Sequence, residues 1–239
     1  MTSPPAPPAE PLVLLPGSGC TPALWSGLTL LTRAITPVIE EPSLDAEVDR
    51  LLELLPPRFA LAGLSLGAIV AMALVRRAPQ RVSRLCLMST NPYGPTPVQH
   101  EAWAAQREVL STGSARELQA SLLPVLLSPE RSELVPLVLG MADELGAPTF
   151  ADQLRLQDTR VDERPGLARV RCPTLVVAAR GDRLCSVDRH EETARLVPGA
   201  ELAVLEDCAH LSPLEQPEQV GAHLNRWLTF PQSGRSGPS

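Results

Sequence analysis

The sequence predicts an α/β domain: a mostly parallel sheet of about six strands flanked by helices, with a helical cap inserted after the strand at 84–88. Three observations predict it. Short apolar runs bounded by turn residues alternate with segments of helical length, the pattern of buried parallel strands joined by crossover helices. The chain has 239 residues, 44% hydrophobic and 20% charged, enough for one sizeable core. Residues 91–173 hold helical patterns without a strand signal, which is how an insertion over one sheet edge reads.

The elements follow in order. Residues 1–10 are Pro-rich and aperiodic and 230–239 end in Pro, Gly and Ser, so both read as disordered tails around a core formed by 11–90 and 174–229. Strands are expected at 12–15, 36–39, 59–64, 84–88, 174–178 and 201–205. Helices are expected at 22–34, 43–55, 65–78, 188–197 and 213–229. Ser43 ahead of Glu47, and Asp188 ahead of Glu191 and Glu192, place acceptors or acids where free helical N–H groups and the dipole favour them. Cap helices are expected at 98–110, 115–127, 132–144 and 149–159.

Composition removes several classes of function. The net charge is −6 and the 21 basic residues are scattered, which leaves no footprint for nucleic-acid phosphates. Every one of those cations is arginine, so neither lysine Schiff-base chemistry nor a P-loop lysine is available. No run approaches the ~20 apolar residues of a membrane span, and no basic segment precedes a secretory core. Cys20, Cys86, Cys172, Cys185 and Cys208 are irregularly spaced, with no CxxC pair for zinc or redox work, and read as reduced cytoplasmic thiols. No metal or cofactor is called for.

The chemistry concentrates at Gly63-Leu64-Ser65-Leu66-Gly67, a GxSxG pattern between an expected strand and an expected helix. A serine on such a sharp turn is held in strained backbone angles, and the flanking glycines let strand and helix approach. A serine nucleophile needs a base oriented by a carboxylate. Of the four histidines, His100, His190 and His223 fall at the cap's start or in helical patterns. His210 follows a strand, at the end of the sheet where α/β sites collect. Asp182 follows the strand before it and makes the chain order Ser65, Asp182, His210, with Asp188 and Asp207 as competing acids. Two N–H donors would face an oxyanion: Leu66, and Ser18 of the loop Pro16-Gly17-Ser18-Gly19-Cys20, with Gly17 and Gly19 as neighbouring alternatives close to substrate. Tyr93, between Pro92 and Gly94 after a strand end, is a further candidate for lining the pocket. Cys20, Cys185 and Cys208 fall in the same loops, either as thiols open to reagents or as buried small hydrophobes.

The segments LVLLPGSG, ALAGLSLGAIVAM, RCPTLVVAARGD and LEDCAHLSPLEQPE together resemble the α/β-hydrolase superfamily, over nearly all of residues 11–229. The pattern is close to small bacterial esterases and enol-lactonase-like hydrolases. The resemblance implies the α/β-hydrolase fold and carries nucleophile, acid and base onto Ser65, Asp182 and His210. Members usually begin with a strand hairpin that has no counterpart ahead of Leu12, and usually have a histidine where Pro16 stands. The expected reaction is hydrolysis of a small carboxylic ester with an apolar acyl group, through an acyl-Ser65 intermediate. Lactone, thioester and carbon–carbon hydrolysis, or a ligand receptor of the same fold, are the alternatives.

Overall fold

The computed structural model describes residues 10–230, so the tails expected over 1–9 and 231–239 lie outside the described residues. Six parallel strands form one sheet in the order β2-β1-β3-β4-β5-β6: β1 (Leu12–Leu15), β2 (Ala34–Ile35), β3 (Phe59–Leu64), β4 (Val82–Met88), β5 (Thr174–Ala179) and β6 (Glu201–Leu205). The chain leaves β1 for β2 on one side and returns to β3 on the other. That reversal opens a crevice beyond the carboxyl ends of β1 and β3, where ligands of such sheets bind.

Helices cover both faces. Leu12 and Leu14 point to one face with Leu64, Met88 and Val177, against Trp227 and Leu224 of α9 (Pro217–Leu228). Val13, Leu15, Leu61 and Leu87 point to the other, against α1 (Leu44–Leu54) and α2 (Leu66–Arg77). This alternation is the two-residue period of a strand buried on both faces. Helix α2 is apolar all round as far as Val75 because it lies inside, and only Arg76 and Arg77 at its end are exposed. The remaining elements of the second half are α7 (Val187–Leu196) and α8 (Ser212–Glu215).

Between β4 and β5 the chain forms α3 (Pro97–Thr112), α4 (Ala115–Leu126), a 3₁₀ segment (Pro129–Leu134), α5 (Val135–Asp158) and the short α6 (Arg164–Leu167). Thr96 and Ser114 each close a capping box, with Gln99 and Glu117, at the start of α3 and α4. Trp103, Leu110, Leu118, Phe150 and Leu154 form this cap's own small core. The two helices expected at 132–144 and 149–159 are one run broken at Gly146, where φ is 79° and ψ 158°. The stretch Pro129–Asp158 is long and apolar enough, by length and composition, to cross a bilayer, unlike the expectation that no such run exists. Here it is split into two arms that pack on the sheet and on the other cap helices.

Three local expectations are corrected. The strand expected at 36–39 is Ala34–Ile35 instead: Pro37 has no N–H for a ladder, and the N–H groups of Glu40 and Glu41 donate to the Glu47 carboxylate. The helix expected at 22–34 is one 3₁₀ turn, Pro22–Trp25, after which Asn225 holds Leu31 N–H and the Thr29 carbonyl in an extended path. The helix expected at 213–229 divides at Gln216, because Pro217 restricts the residue before it. Ser186 is the N-cap of α7, with Asp188 in its first turn. At the end of the described chain Phe230 packs against the core and its carbonyl accepts from Arg84, so the folded part includes residue 230.

Candidate active site

Ser65 sits between β3 and α2 with φ 54° and ψ −112°, a left-handed backbone position that a non-glycine residue occupies at a cost. Its N–H donates to the Met88 carbonyl at 2.9 Å, and its own carbonyl accepts the N–H of Ala68 and of Ile69 at 3.0 Å. A Cβ on Gly63 would run into the Gly67 carbonyl, and one on Gly67 into the Leu15 carbonyl, so the turn closes only with glycine at both positions.

His210 and Asp182 arrive from the ends of β6 and β5. His210 Nδ1 lies 2.8 Å from Asp182 Oδ2, and both residues are buried. Asp182 Oδ1 accepts the N–H groups of Leu184 at 2.8 Å and Cys185 at 2.9 Å. Burial pushes the Asp182 carboxyl up. The charge and hydrogen bond of His210 and the two backbone donors outweigh it and hold the group below the usual carboxylate range. The competing acids stand elsewhere: Asp188 is exposed on the first turn of α7, and Asp207 is exposed at φ 47°. Among the other histidines, His100 pairs with Asp158 on the surface. His190 is fully buried, its Nε2 accepting Thr90 N–H at 3.0 Å and its Nδ1 2.9 Å from the Ser186 carbonyl, and burial pushes its pKa down.

Ser65 and His210 line one cavity of about 140 Å³ together with Gly17 and Ser18. Its walls are mostly apolar: Leu64, Leu122, Leu126, Phe150, Leu154 and Leu211. Leu66 opens α2, where the first amides have no helical carbonyl to meet. Gly17 lies against Leu64 and Ser65, whereas the Gly19 N–H is already donated to Gln153 Oε1 at 2.9 Å and Gly19 is not part of the lining. Tyr93 is also not part of it: its hydroxyl bonds the Glu192 carboxylate, and its ring lies 4.3 Å from the guanidinium carbons of both Arg164 and Arg189. A larger groove of about 540 Å³, between the segment around Pro124–Arg131 and the loops after β5 and β6, contains neither Ser65 nor His210.

Two buried side chains that sequence reasoning passed over hold these loops. Gln153 of α5 receives Gly19 N–H and returns its amide to the Ile39 carbonyl at 2.7 Å, tying the loop after β1 to the cap. Glu215 accepts the Ala209 N–H through both oxygens and the Ser128 hydroxyl, tying the loop of His210 to the end of α4. Glu215 lies in the LEDCAHLSPLEQPE segment, so a signal for it existed; Gln153 has none without the fold. Asp182, Cys185 and His210 place donor atoms within 4.8 Å of one another. Asp182 and His210 spend theirs on each other, and the Cys185 thiol, pushed up to about 12 by burial, is a poor source of the thiolate a metal needs.

Comparison with known proteins agrees with this architecture. A profile described as the alpha/beta hydrolase family matches residues 12–223. A pimeloyl-[acyl-carrier protein] methyl ester esterase of Aromatoleum aromaticum is 31% identical, over 87% of this chain and 93% of that one. A hydrolase from Pseudomonas aeruginosa superposes with a TM-score of 0.79 at 28% identity, over 93% of this chain and 91% of its own. The enol-lactonase from Burkholderia xenovorans shares the fold with a TM-score of 0.81 at 22% identity, over 92% of each chain. The strained serine turn, the buried His–Asp pair and these likenesses lead to one assignment: the chain belongs to the alpha/beta hydrolase family.

Proposed function

We propose that the protein is a serine hydrolase of small carboxylic esters, with Ser65 as nucleophile, His210 as base and Asp182 as its orienting acid. The observation that carries the reading is the shared cavity: Ser65 on its strained turn and His210, held by Asp182 at 2.8 Å, line the same space. The relative from Aromatoleum aromaticum, named as a methyl ester esterase, supports the reaction class.

Because Asp182 occupies Nδ1, that nitrogen carries the proton and Nε2 is the basic one. Ser65 Oγ adds to the ester carbonyl carbon as its proton passes to His210 Nε2. The resulting oxyanion meets the N–H groups of Leu66 and Ser18. Collapse expels the alcohol, which leaves with the proton from His210. Water then gives a proton to the same nitrogen and attacks the acyl-Ser65 carbonyl, and the second intermediate collapses to release the acid as His210 returns that proton to Ser65 Oγ. A cavity of about 140 Å³ is close in size to one that holds a benzene-sized group, so the acyl part is short, and its walls favour apolar carbon.

The test is hydrolysis of a short-chain nitrophenyl ester series by wild type and Ser65→Ala, with fluorophosphonate labelling mapped by mass spectrometry. Turnover and label should both vanish in Ser65→Ala. A folded wild type that neither turns over nor labels would favour a receptor that keeps the same residues.

A further inference from the structure

The wall of the Ser65 cavity has a second side. In three separate segments neighbouring residues face opposite ways: Val125, Arg183 and Ala209 line the larger groove, while Leu126, Leu184 and His210 line the cavity. Beside that groove, and sharing Pro124, Leu127, Arg131 and Arg183 with it, runs a narrower trough of about 330 Å³. The trough has an apolar floor and a basic rim. Leu123 and Val135 pack on the core yet stay half-buried, and Pro124 is exposed, so aliphatic surface faces solvent there. Its lining includes two guanidiniums and no carboxylate. Arg131 is fixed by Glu133 at 2.6 Å and by the Glu215 carbonyl, with Nη2 left over. Arg183 is exposed and makes no hydrogen bond or ion pair among the described residues. In the wider groove the balance differs, because Glu130, Glu206 and Asp207 accompany the arginines and Arg180 is paired with Glu206 at 2.8 Å. The narrow part is the one with unspent positive charge over apolar carbon.

These features fit one kind of occupant. A guanidinium matches a carboxylate through two parallel N–H donors, and an apolar floor calls for an aliphatic chain to cover it. The trough lies at the lower end of the ~300–1,000 Å³ that small organic ligands fill, whereas the Ser65 cavity of about 140 Å³ falls below it. Contacts also lead from the trough to the other side of the wall. Arg131 donates to the Glu215 carbonyl, Glu215 accepts the Ala209 N–H, and Ala209 precedes His210. Arg183 follows Asp182 directly. Such a chain of contacts couples the two spaces when the occupied trough favours a different placement of these loops.

We propose that the trough is a second binding site, for the anion of a medium-chain aliphatic carboxylic acid, and that its occupancy is felt at the Asp182–His210 pair. Arg183 and Arg131 receive the carboxylate, and Leu123, Pro124 and Val135 receive the chain. The site does not depend on the ester-hydrolase reading, since a receptor of the same fold would contain it too.

Calorimetry with octanoate tests the site. Wild type should bind octanoate at least about tenfold more tightly than butanoate, which has the head without the chain, and than 1-octanol, which has the chain without the charge. Arg183→Gln should weaken octanoate about tenfold and leave 1-octanol unchanged, and Arg183→Lys should keep part of the difference. Equal affinity for octanoate and 1-octanol, or octanoate binding that survives Arg183→Gln, overturns the site. Protein labelled at Ser65 with a fluorophosphonate should still bind octanoate, and loss of binding there places the anion in the Ser65 cavity instead. The coupling is read from the downfield proton resonance of His210 Nδ1–H, which should shift at saturating octanoate in wild type and stay put in Arg183→Gln. A resonance unmoved in saturated wild type overturns the coupling. The calorimetry on unlabelled protein needs no turnover, so a chain that binds octanoate and cleaves no ester loses only the hydrolase reading. One that cleaves esters without binding octanoate loses only the second site. Circular dichroism shows that each variant is folded, and Arg183→Lys stands in should Arg183→Gln fail to fold.

Discussion

Glu215 accepts the Ala209 N–H, at 3.2 Å to each of its oxygens, and the Ser128 hydroxyl at 2.5 Å, so the residue next to His210 and the end of the cap helix α4 share one buried carboxylate. The segment is pinned again where Leu211 N–H donates to the Leu126 carbonyl at 3.1 Å. His210 is therefore held from two sides, by Asp182 through its ring and by the cap through its backbone.

Removing that carboxylate should be costly. Glu215→Ala leaves buried donors unsatisfied and should lower the unfolding free energy by about 3 kcal/mol in urea titration, against about 1 kcal/mol for Ser128→Ala. Similar small losses for both would mean that Glu215 is not the tie.

Asp182→Asn keeps the shape but lets the ring rotate or take the other tautomer, and kcat should fall about 10⁴-fold with little change in KM. The linkage has a definite sign. A carboxyl held below its ordinary value of 3.8 contributes stability above that value and loses it as pH falls through the lower folded pKa. The stability advantage of wild type over Asp182→Asn should accordingly shrink only in strongly acid solution.

His190 carries a second pH dependence of different origin. The facing charged groups are Asp182, which favours its protonation, and His210, which opposes it, while burial pushes its pKa below the ordinary 6.5. The unfolded chain binds that proton more readily than the folded one, so stability is full above about 6.5, declines as pH falls below it, and levels off once the folded group protonates. His190→Asn should flatten this part of a melting-temperature profile, and an unchanged slope would assign the decline to another group.

The cysteines near the site should be inert. Cys20, Cys185 and Cys208 are buried and their thiols are pushed up to about 12, chiefly by desolvation, which leaves almost no thiolate at neutral pH. Iodoacetamide applied to the native protein at pH 7.5 should leave activity and the mass of these residues unchanged, which favours their reading as small hydrophobes.

The parts of the fold and site legible in the sequence are those set by short-range grammar. Gly63, Ser65 and Gly67 sit within five residues and declare a strand, a strained turn and a helix. Asp182 and His210 each follow an apolar run within five residues. What escaped depends on distant partners. Gln153 matters because α5 lays it against Gly19, 134 residues away, and nothing in its own neighbourhood says which face of that helix turns inward. Tyr93 illustrates the converse: its position after a strand end suggests a pocket, but Glu192, Arg164 and Arg189 hold it outside the lining of the Ser65 cavity. The strand expected at 36–39 failed on Pro37, whose missing N–H outweighed the apolar pattern.

The three residues of the proposed triad hang from β3, β5 and β6, and β6 is an edge strand and, among the described strands, the last to be synthesised. A ribosome-bound chain can already contain the serine turn and the whole cap while His210 is still inside the exit tunnel. On the proposed roles, the nascent protein stays chemically silent until its last described strand docks, and a truncation before residue 210 leaves the Ser65 turn without His210.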